Sequence, residues 1–289
     1  MKKFALLVAA LLMSSTQIHA ETQTLKWVGC GIIKKAFMAA MAEAYEKKTG
    51  TKIKLEGGGA TRGIRDVSAG TADIGGSCRH KILAPEEANS KLVPVGWDGI
   101  VVITHPSNPV KNITKDQLKG ILVGKITNWK ELGGPDLPIQ LTAREGKISG
   151  VGRMIRELAF FDPETEFSKD AKVLKSSGPV EKFVEANPGA VAVTGISSGR
   201  KRKVNFLSLD GIEPSYENIS KGTYPIHRPL YVVINKKPSP EVVKFVGFAT
   251  GPEGQAVVKS QKTVTLKDGN ALWASYREKM KQARQTGNF

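Results

Sequence analysis

The sequence predicts an α/β fold built on a parallel sheet with helices on both faces. Two observations carry this. Short apolar runs alternate with amphipathic helical stretches from the first predicted strand onward. Each of the first three runs also ends in a glycine-rich loop: GCG (29–31), GGGATRG (57–63) and GGSCR (75–79). In such sheets ligands sit at the carboxyl ends of the strands, and all three loops lie there.

The elements follow in chain order. Residues 1–20, MKKFALLVAALLMSSTQIHA, join two lysines, an apolar run and a polar stretch ending at Ala20. That is the pattern of a secretory signal peptide, with an apolar run too short to span a bilayer. The chain from Glu21 is therefore expected to be soluble in the periplasm. TLKWVG is a strand. KKAFMAAMAEAYEKKTG is an amphipathic helix with Phe37, Met41, Ala44 and Tyr45 at helical spacing and Gly50 as its stop. KIKLE is a second strand, ATRGIRDVSAG a helix, and ADIGGS a third strand ending at Cys78.

GWDGIVVITHP is strongly apolar and reads as a strand. TKDQLKGILVG is a helix behind a threonine cap. KITNWKELGGPDLPIQLTA gives a short helix, a turn and a strand. REGKISGVGRMIRELAFF is a loop feeding a helix, and GPVEKFVEANPGAVAVTG a helix, a Pro-Gly turn and a strand. YPIHRPLYVVINKKP is β-rich, but Pro225 and Pro229 argue against a central strand over its first half. SPEVVKFVGFATGPEGQAVVKSQ is helical in two pieces, and the tail NALWASYREKMKQARQ is a basic helix. If the apolar strand at 99–104 and the β segment at 224–234 both cross between halves, the chain has two lobes. Residues 21–100 plus 226–289 form the first and residues 101–225 the second.

Charge narrows the partners. The chain has 43 Lys and Arg against 27 Asp and Glu, a formal net charge of +16. Such a field attracts a small oxyanion, an anionic membrane surface or nucleic acid. The two cysteines, Cys30 and Cys78, would ordinarily form one disulfide in an oxidising compartment.

GGGATRGIRDVSAGTADIGGSCR, DGIVVITHPSNPVKNITKDQLKGILVGKITNWKELGGPDLPI, GTYPIHRPLYVVINKKPSP and GPEGQAVV closely resemble periplasmic phosphate-binding proteins of the PstS type. The resemblance implies a type II periplasmic binding fold: two α/β lobes, a two-strand hinge and an oxyanion in the cleft. It also implies closure of the lobes on ligand and a membrane partner that reads the closed form. The family's Gly-Ser-Gly anion turn is here Gly29-Cys30-Gly31, with Cys30 in the place of serine. In GGGATRG, Ala60 and Thr61 stand where a serine is usual, with Arg62 as an added cation. Ser77-Cys78-Arg79 puts Cys78 where the family has aspartate. REGKISGVGR keeps Arg144 and Glu145, and Ser149 and Gly150 supply the rest of the anion loop.

The resemblance thus assigns ligand binding to Cys30, Gly31, Ala60, Thr61, Arg62, Cys78, Arg144, Ser149 and Gly150. Both cysteines of the chain fall on pocket positions. A thiol is a weak donor and a weak acceptor, so each exchange should weaken a phosphate contact. Thiolates favour soft centres, and arsenic is the soft centre that also forms phosphate-like oxyanions. Arg62, Arg79, Arg144 and a helix start after Cys30 are expected to favour the thiolate form and draw in the anion. The expectation is capture of arsenate or arsenite for a membrane-bound sensor kinase. The alternative is a phosphate-binding subunit working with an ABC transporter permease.

Other readings are weaker. GISSG (195–199) matches Gly-x-Ser-x-Gly, and Ser197, Asp210 and His227 occur in hydrolase order, but RKRKVNFLSL follows where a helix is required. GRKRK and the last helix could meet phosphates, yet no aromatic-basic recognition motif accompanies them. Two cysteines without nearby histidines fall short of a zinc set. The chain is thus read as a monomer, not an enzyme, with no cofactor, metal or nucleic acid. Trp27, Trp97, Trp129 and Trp273 are read as packing residues.

Overall fold

The computed structural model of the chain describes residues 23–286, so the signal segment at 1–20 lies outside the described residues. Among the described residues there are eleven strands: β1 (Thr24–Gly29), β2 (Lys52–Gly57), β3 (Ile74–Ser77), β4 (Ser90–Thr104), β5 (Asn112–Ile113), β6 (Gln140–Arg144), β7 (Lys172–Leu174), β8 (Ala190–Gly195), β9 (Asn205–Leu209), β10 (His227–Asn235) and β11 (Val264–Thr265). The main order is β2-β1-β3-β10-β4-β8-β6-β7.

The sheet is mixed rather than parallel throughout. β1 is parallel to β2 and β3, and β6 is parallel to β7 and β8. Between these sets, β10 runs antiparallel to β3 and β4, and β4 runs antiparallel to β8. The β-loop-α repeat therefore predicts the orientation inside each lobe. It says nothing of the two long strands that join them, since β4 and β10 are separated by the whole second lobe. β4 pairs with β10 from Ser90 to Gly99 and with β8 from Ile100 to Thr104. At the switch the Ile100 amide donates to the Ile226 carbonyl at 2.9 Å. This is the two-strand hinge of a two-lobed α/β fold.

Pro229 lies inside β10, contrary to the reading that its segment could not be a central strand over its first half. The strand tolerates it because β3 pairs only with Tyr231, Val232 and Val233. At Pro229 the ladder is one-sided, to Trp97 of β4, and the missing N–H costs no sheet hydrogen bond. The register shifts between Leu230 and Tyr231, opposite Pro94.

Local chemistry fixes the elements around the cleft. Thr114 and Gln117 form a reciprocal capping box on the helix Lys115–Leu122, and Asn128 and Glu131 do the same at Trp129–Leu132. Trp27, Trp97 and Trp129 are fully buried, and the Trp129 indole N–H donates to the Gly189 carbonyl at 3.0 Å. The Ile-Gly-Gly-Ser sequence of β3 answers a packing demand. A Cβ on Gly76 would collide with the Trp27 ring, and one on Gly75 with the Gly63 carbonyl of the helix Gly59–Ser68.

Gly76→Ala is therefore expected to lower stability by about 1–3 kcal/mol through overpacking. Gly31→Ala, whose Cβ would meet nothing within 4 Å, should fall within about 0.5 kcal/mol of wild type. Urea unfolding of both variants measures the contrast, and equal losses would refute the packing argument.

Candidate functional site

Residue Cys30 follows β1 in extended conformation (φ −77°, ψ 144°) and precedes the helical turn at Gly31. Its amide donates to the Gly76 carbonyl of β3 at 3.1 Å. Because Gly29 pairs with Gly76 in parallel register, the residues beyond the two strand ends meet. The Cys30 and Cys78 sulfurs lie 3.2 Å apart as unbridged thiols, 4% and 1% exposed.

The two thiols are not equivalent. The hydrogen bond from Cys30 brings Cys78 down from its ordinary value of 9.0 to about 6; burial opposes this, and Arg228 and Arg144 reinforce it. Burial, and then the neighbouring Cys78, push Cys30 well above the ordinary value. Within the pair, the hydrogen bond therefore favours the proton on Cys30 and the negative charge on Cys78.

The opposite wall comes from the second lobe. Ser149 precedes the helix Gly150–Ile155, and its hydroxyl donates to the Gly146 carbonyl at 3.2 Å rather than capping the helix. Gly150 presses on the thiols: a Cβ there would collide with the Cys78 sulfur and stand 3.0 Å from the Ala60 Cβ. Beside it, Gly58, Ala60, Thr61, Arg144, Ile148 and Ser149 line a cavity of about 220 Å³. The Arg144 guanidinium makes one long bond, 3.4 Å to Ser177, and its Nε has no hydrogen-bond partner. Burial lowers its pKa.

The structure thus brings Cys30, Ala60, Thr61, Cys78, Arg144, Ser149 and Gly150 into one place, with the exposed Gly31 opening the helix behind Cys30. It does not bring Arg62 there. Arg62 bonds Asp66 at 3.0 Å, the Gly57 carbonyl at 3.1 Å and Glu56 at 3.2 Å, held by i,i+4 spacing to Asp66. Arg79 is also committed: it pairs with Glu87 at 2.5 and 3.1 Å and bonds the Ile148 and His80 carbonyls and Thr61. The Thr61 hydroxyl in turn donates to Ile148 at 2.9 Å.

Two charged residues beneath the thiols, Asp98 of β4 and Arg228 of β10, were missed by sequence reasoning. They are 2% and 0% exposed and pair at 3.6 Å. Burial raises the Asp98 pKa, against the pull of Arg228. Their signal was present: a charge within an apolar strand must be paired or used. Contacts across the cleft include Lys35 to Glu181 at 2.9 Å, Lys35 to Ser198 at 3.0 Å and His80 to Glu157 at 2.7 Å.

The hydrolase triad is not assembled. The His227 ring meets the Tyr224 carbonyl and Ser275, while Asp210 accepts from the Lys115 amide. Among the described residues no group of three or more His, Cys, Asp or Glu is placed to hold a metal.

Known proteins share this architecture. The PBP superfamily domain profile matches residues 16–253. The phosphate-binding protein PstS of Borreliella burgdorferi is 27% identical over 281 residues, covering 92% of this chain and all of that protein. The phosphate-binding protein PstS of Bacillus subtilis is 32% identical over 204 residues, 68% of this chain and 65% of that one. A candidate phosphate ABC transporter substrate-binding protein of Clostridium perfringens, solved with bound phosphate, superposes with a TM-score of 0.78 at 31% identity. That match covers 84% of this chain and 99% of the other.

The thiol pair makes a prediction about stability. Between about pH 6 and 9 the unfolded Cys78 binds a proton that the folded one has released. Its contribution is therefore full above 9, shrinks as pH falls, and is gone below about 6. The Tm difference between wild type and Cys78→Ser should rise across that window. A flat difference would contradict the assignment of charge to Cys78.

Proposed function

Because the chain belongs to the PBP superfamily, we propose that it is an extracytoplasmic solute-binding protein that takes a small phosphate-like oxyanion between its lobes. We take its lobes as residues 21–100 plus 226–289 and residues 101–225, a division supported by the strand switch at Gly99–Ile100. The signal pattern at 1–20 supports export. One observation carries the ligand reading: two thiols, Ala60, Arg144 and the Ser149–Gly150 loop converge at the carboxyl ends of parallel strands, under facing lobes.

Phosphate is the anion the comparisons favour, since the relatives are named for binding it. The thiol pair is compatible with that cargo. The Cys30 proton, donated to Cys78 in this structure, can turn to an anion as a serine's does, leaving Cys78 to accept from a protonated anion oxygen as an aspartate would. The expected weakening of a phosphate contact at Cys78 is therefore smaller: an acceptor remains, in a softer form. Such an acceptor disfavours an anion without the proton. An ABC transporter permease is the partner that fits this reading.

A second reading rests on the sulfurs themselves. Two thiols 3.2 Å apart, buried beside the cavity, suit a thiophilic centre, and so an arsenic oxyanion presented to a sensor kinase.

Calorimetry on the reduced protein with phosphate, arsenate, arsenite and sulfate separates the two. The phosphate reading expects phosphate and arsenate to bind and sulfate to bind at least about tenfold more weakly. Cys78→Asp should then keep or strengthen phosphate binding, and Cys78→Ser should weaken it about tenfold. Arsenite binding that both Cys30→Ser and Cys78→Ser abolish, without phosphate binding, would replace the first reading by the second. Binding of none of the four would remove both.

A further inference from the structure

Arg228 is a fully buried guanidinium with unspent donors. Its Nη1 donates to the Gly150 carbonyl at 3.3 Å, and its Nη2 lies 3.6 Å from Asp98 Oδ2. Nε and Nη2 have no hydrogen-bond partner, and neither does Asp98 Oδ2. A buried arginine in that condition is costly unless other negative charge faces it.

Its place in the fold tells what that charge is. Arg228 pairs in register with Asp98 where β4 and β10 cross between the lobes. β8 makes room with Gly195, whose Cβ would collide with Asp98 Oδ2 and stand 3.2 Å from Arg228 Nη2. From there Arg228 reaches the first residue of the helix Gly150–Ile155, and that residue rests on the Cys78 sulfur. One guanidinium therefore joins the hinge, the anion loop of the second lobe and the thiol floor of the first.

We propose that Arg228 is a positioning residue of the oxyanion site: it is the fixed cation behind Cys30 and Cys78, and through the Gly150 carbonyl it seats the anion loop when the lobes close. The inference rests on the oxyanion reading of the cleft. Arg228 favours the ionised form of both thiols, and its effect on Cys78 precedes the opposing one of Asp98. Asp98 is engaged elsewhere through Oδ1, which accepts from the Ser197 amide at 3.1 Å.

The test uses the reduced full chain and two variants, Arg228→Gln and Arg228→Lys. Calorimetry measures inorganic phosphate and arsenite binding. Ultraviolet thiolate absorbance at neutral pH, without ligand, reports the charge on Cys78. Arg228→Gln should lose about tenfold or more in anion affinity and show a weaker thiolate signal. Arg228→Lys, which keeps the charge without the planar fork, should retain the thiolate signal and lose less affinity. A folded Arg228→Gln protein within about twofold of wild type in both measurements overturns the proposal. If that variant does not fold, Arg228→Lys and Asp98→Asn decide. Asp98→Asn is expected to strengthen the thiolate signal and the lysine variant to weaken binding, so wild-type behaviour in both overturns it. Wild-type protein that binds neither anion removes the oxyanion reading, while the absorbance arm still decides whether Arg228 sets the charge on Cys78.

Discussion

The parallel register that sets Gly29 opposite Gly76 is the constraint on which the cleft depends. It is possible only because neither residue has a side chain: the Trp27 ring occupies the space where both Cβ atoms would lie. With the strands locked in that register, the residues just past their ends are brought to one point. Those residues are Cys30 and the Ser77-Cys78 pair. The Cys30 amide then closes on the Gly76 carbonyl, and the two sulfurs meet at 3.2 Å. Gly63 and Gly75 apply the same logic to the helix that carries Ala60 and Thr61. Pocket geometry here is a consequence of close backbone packing in the first lobe.

Electrostatics then decides what this floor can do. Two buried thiols alone would both stay protonated, because burial penalises the charged form. The hydrogen bond between Cys30 and Cys78 favours charge on Cys78, and Arg228 and Arg144 act in the same direction. The distribution of arginines matters as much as their number. Arg62 and Arg79 are neutralised by Glu56, Asp66 and Glu87, which leaves Arg144 and the proposed Arg228 as the cations beside the thiols.

The hinge itself is made of the two longest strands, and its irregularities follow from its task. β4 must leave one sheet and enter another, so it pairs with β10 and β8 in succession. β10 carries a proline where its ladder is one-sided, and the register shift beside it lets the strand serve β3 and β4 together. Contacts made across the cleft by Lys35, Thr61, Arg79 and His80 are all polar. Polar contacts of this kind exchange for water when lobes part, which suits a joint that opens and closes.

Much of this was legible in the chain. The alternation of apolar runs and helical stretches determined the α/β class, because each glycine-rich loop interrupts a change of hydrophobic period. The anion loops at Cys30, Ala60–Thr61, Cys78 and Ser149–Gly150 were readable as loops because glycine and small residues cluster where backbone must approach closely. The sequence also placed both cysteines on those loops. What it could not decide was partnership. Whether Arg62 or Arg228 serves the cleft depends on which carboxylates lie within reach, and those are set by contacts between residues far apart in the chain. The antiparallel centre of the sheet and the accommodation of Pro229 have the same origin. So does the splitting of the two thiols into a donor and an acceptor, which arises only when tertiary packing buries both sulfurs together and sets one arginine behind them.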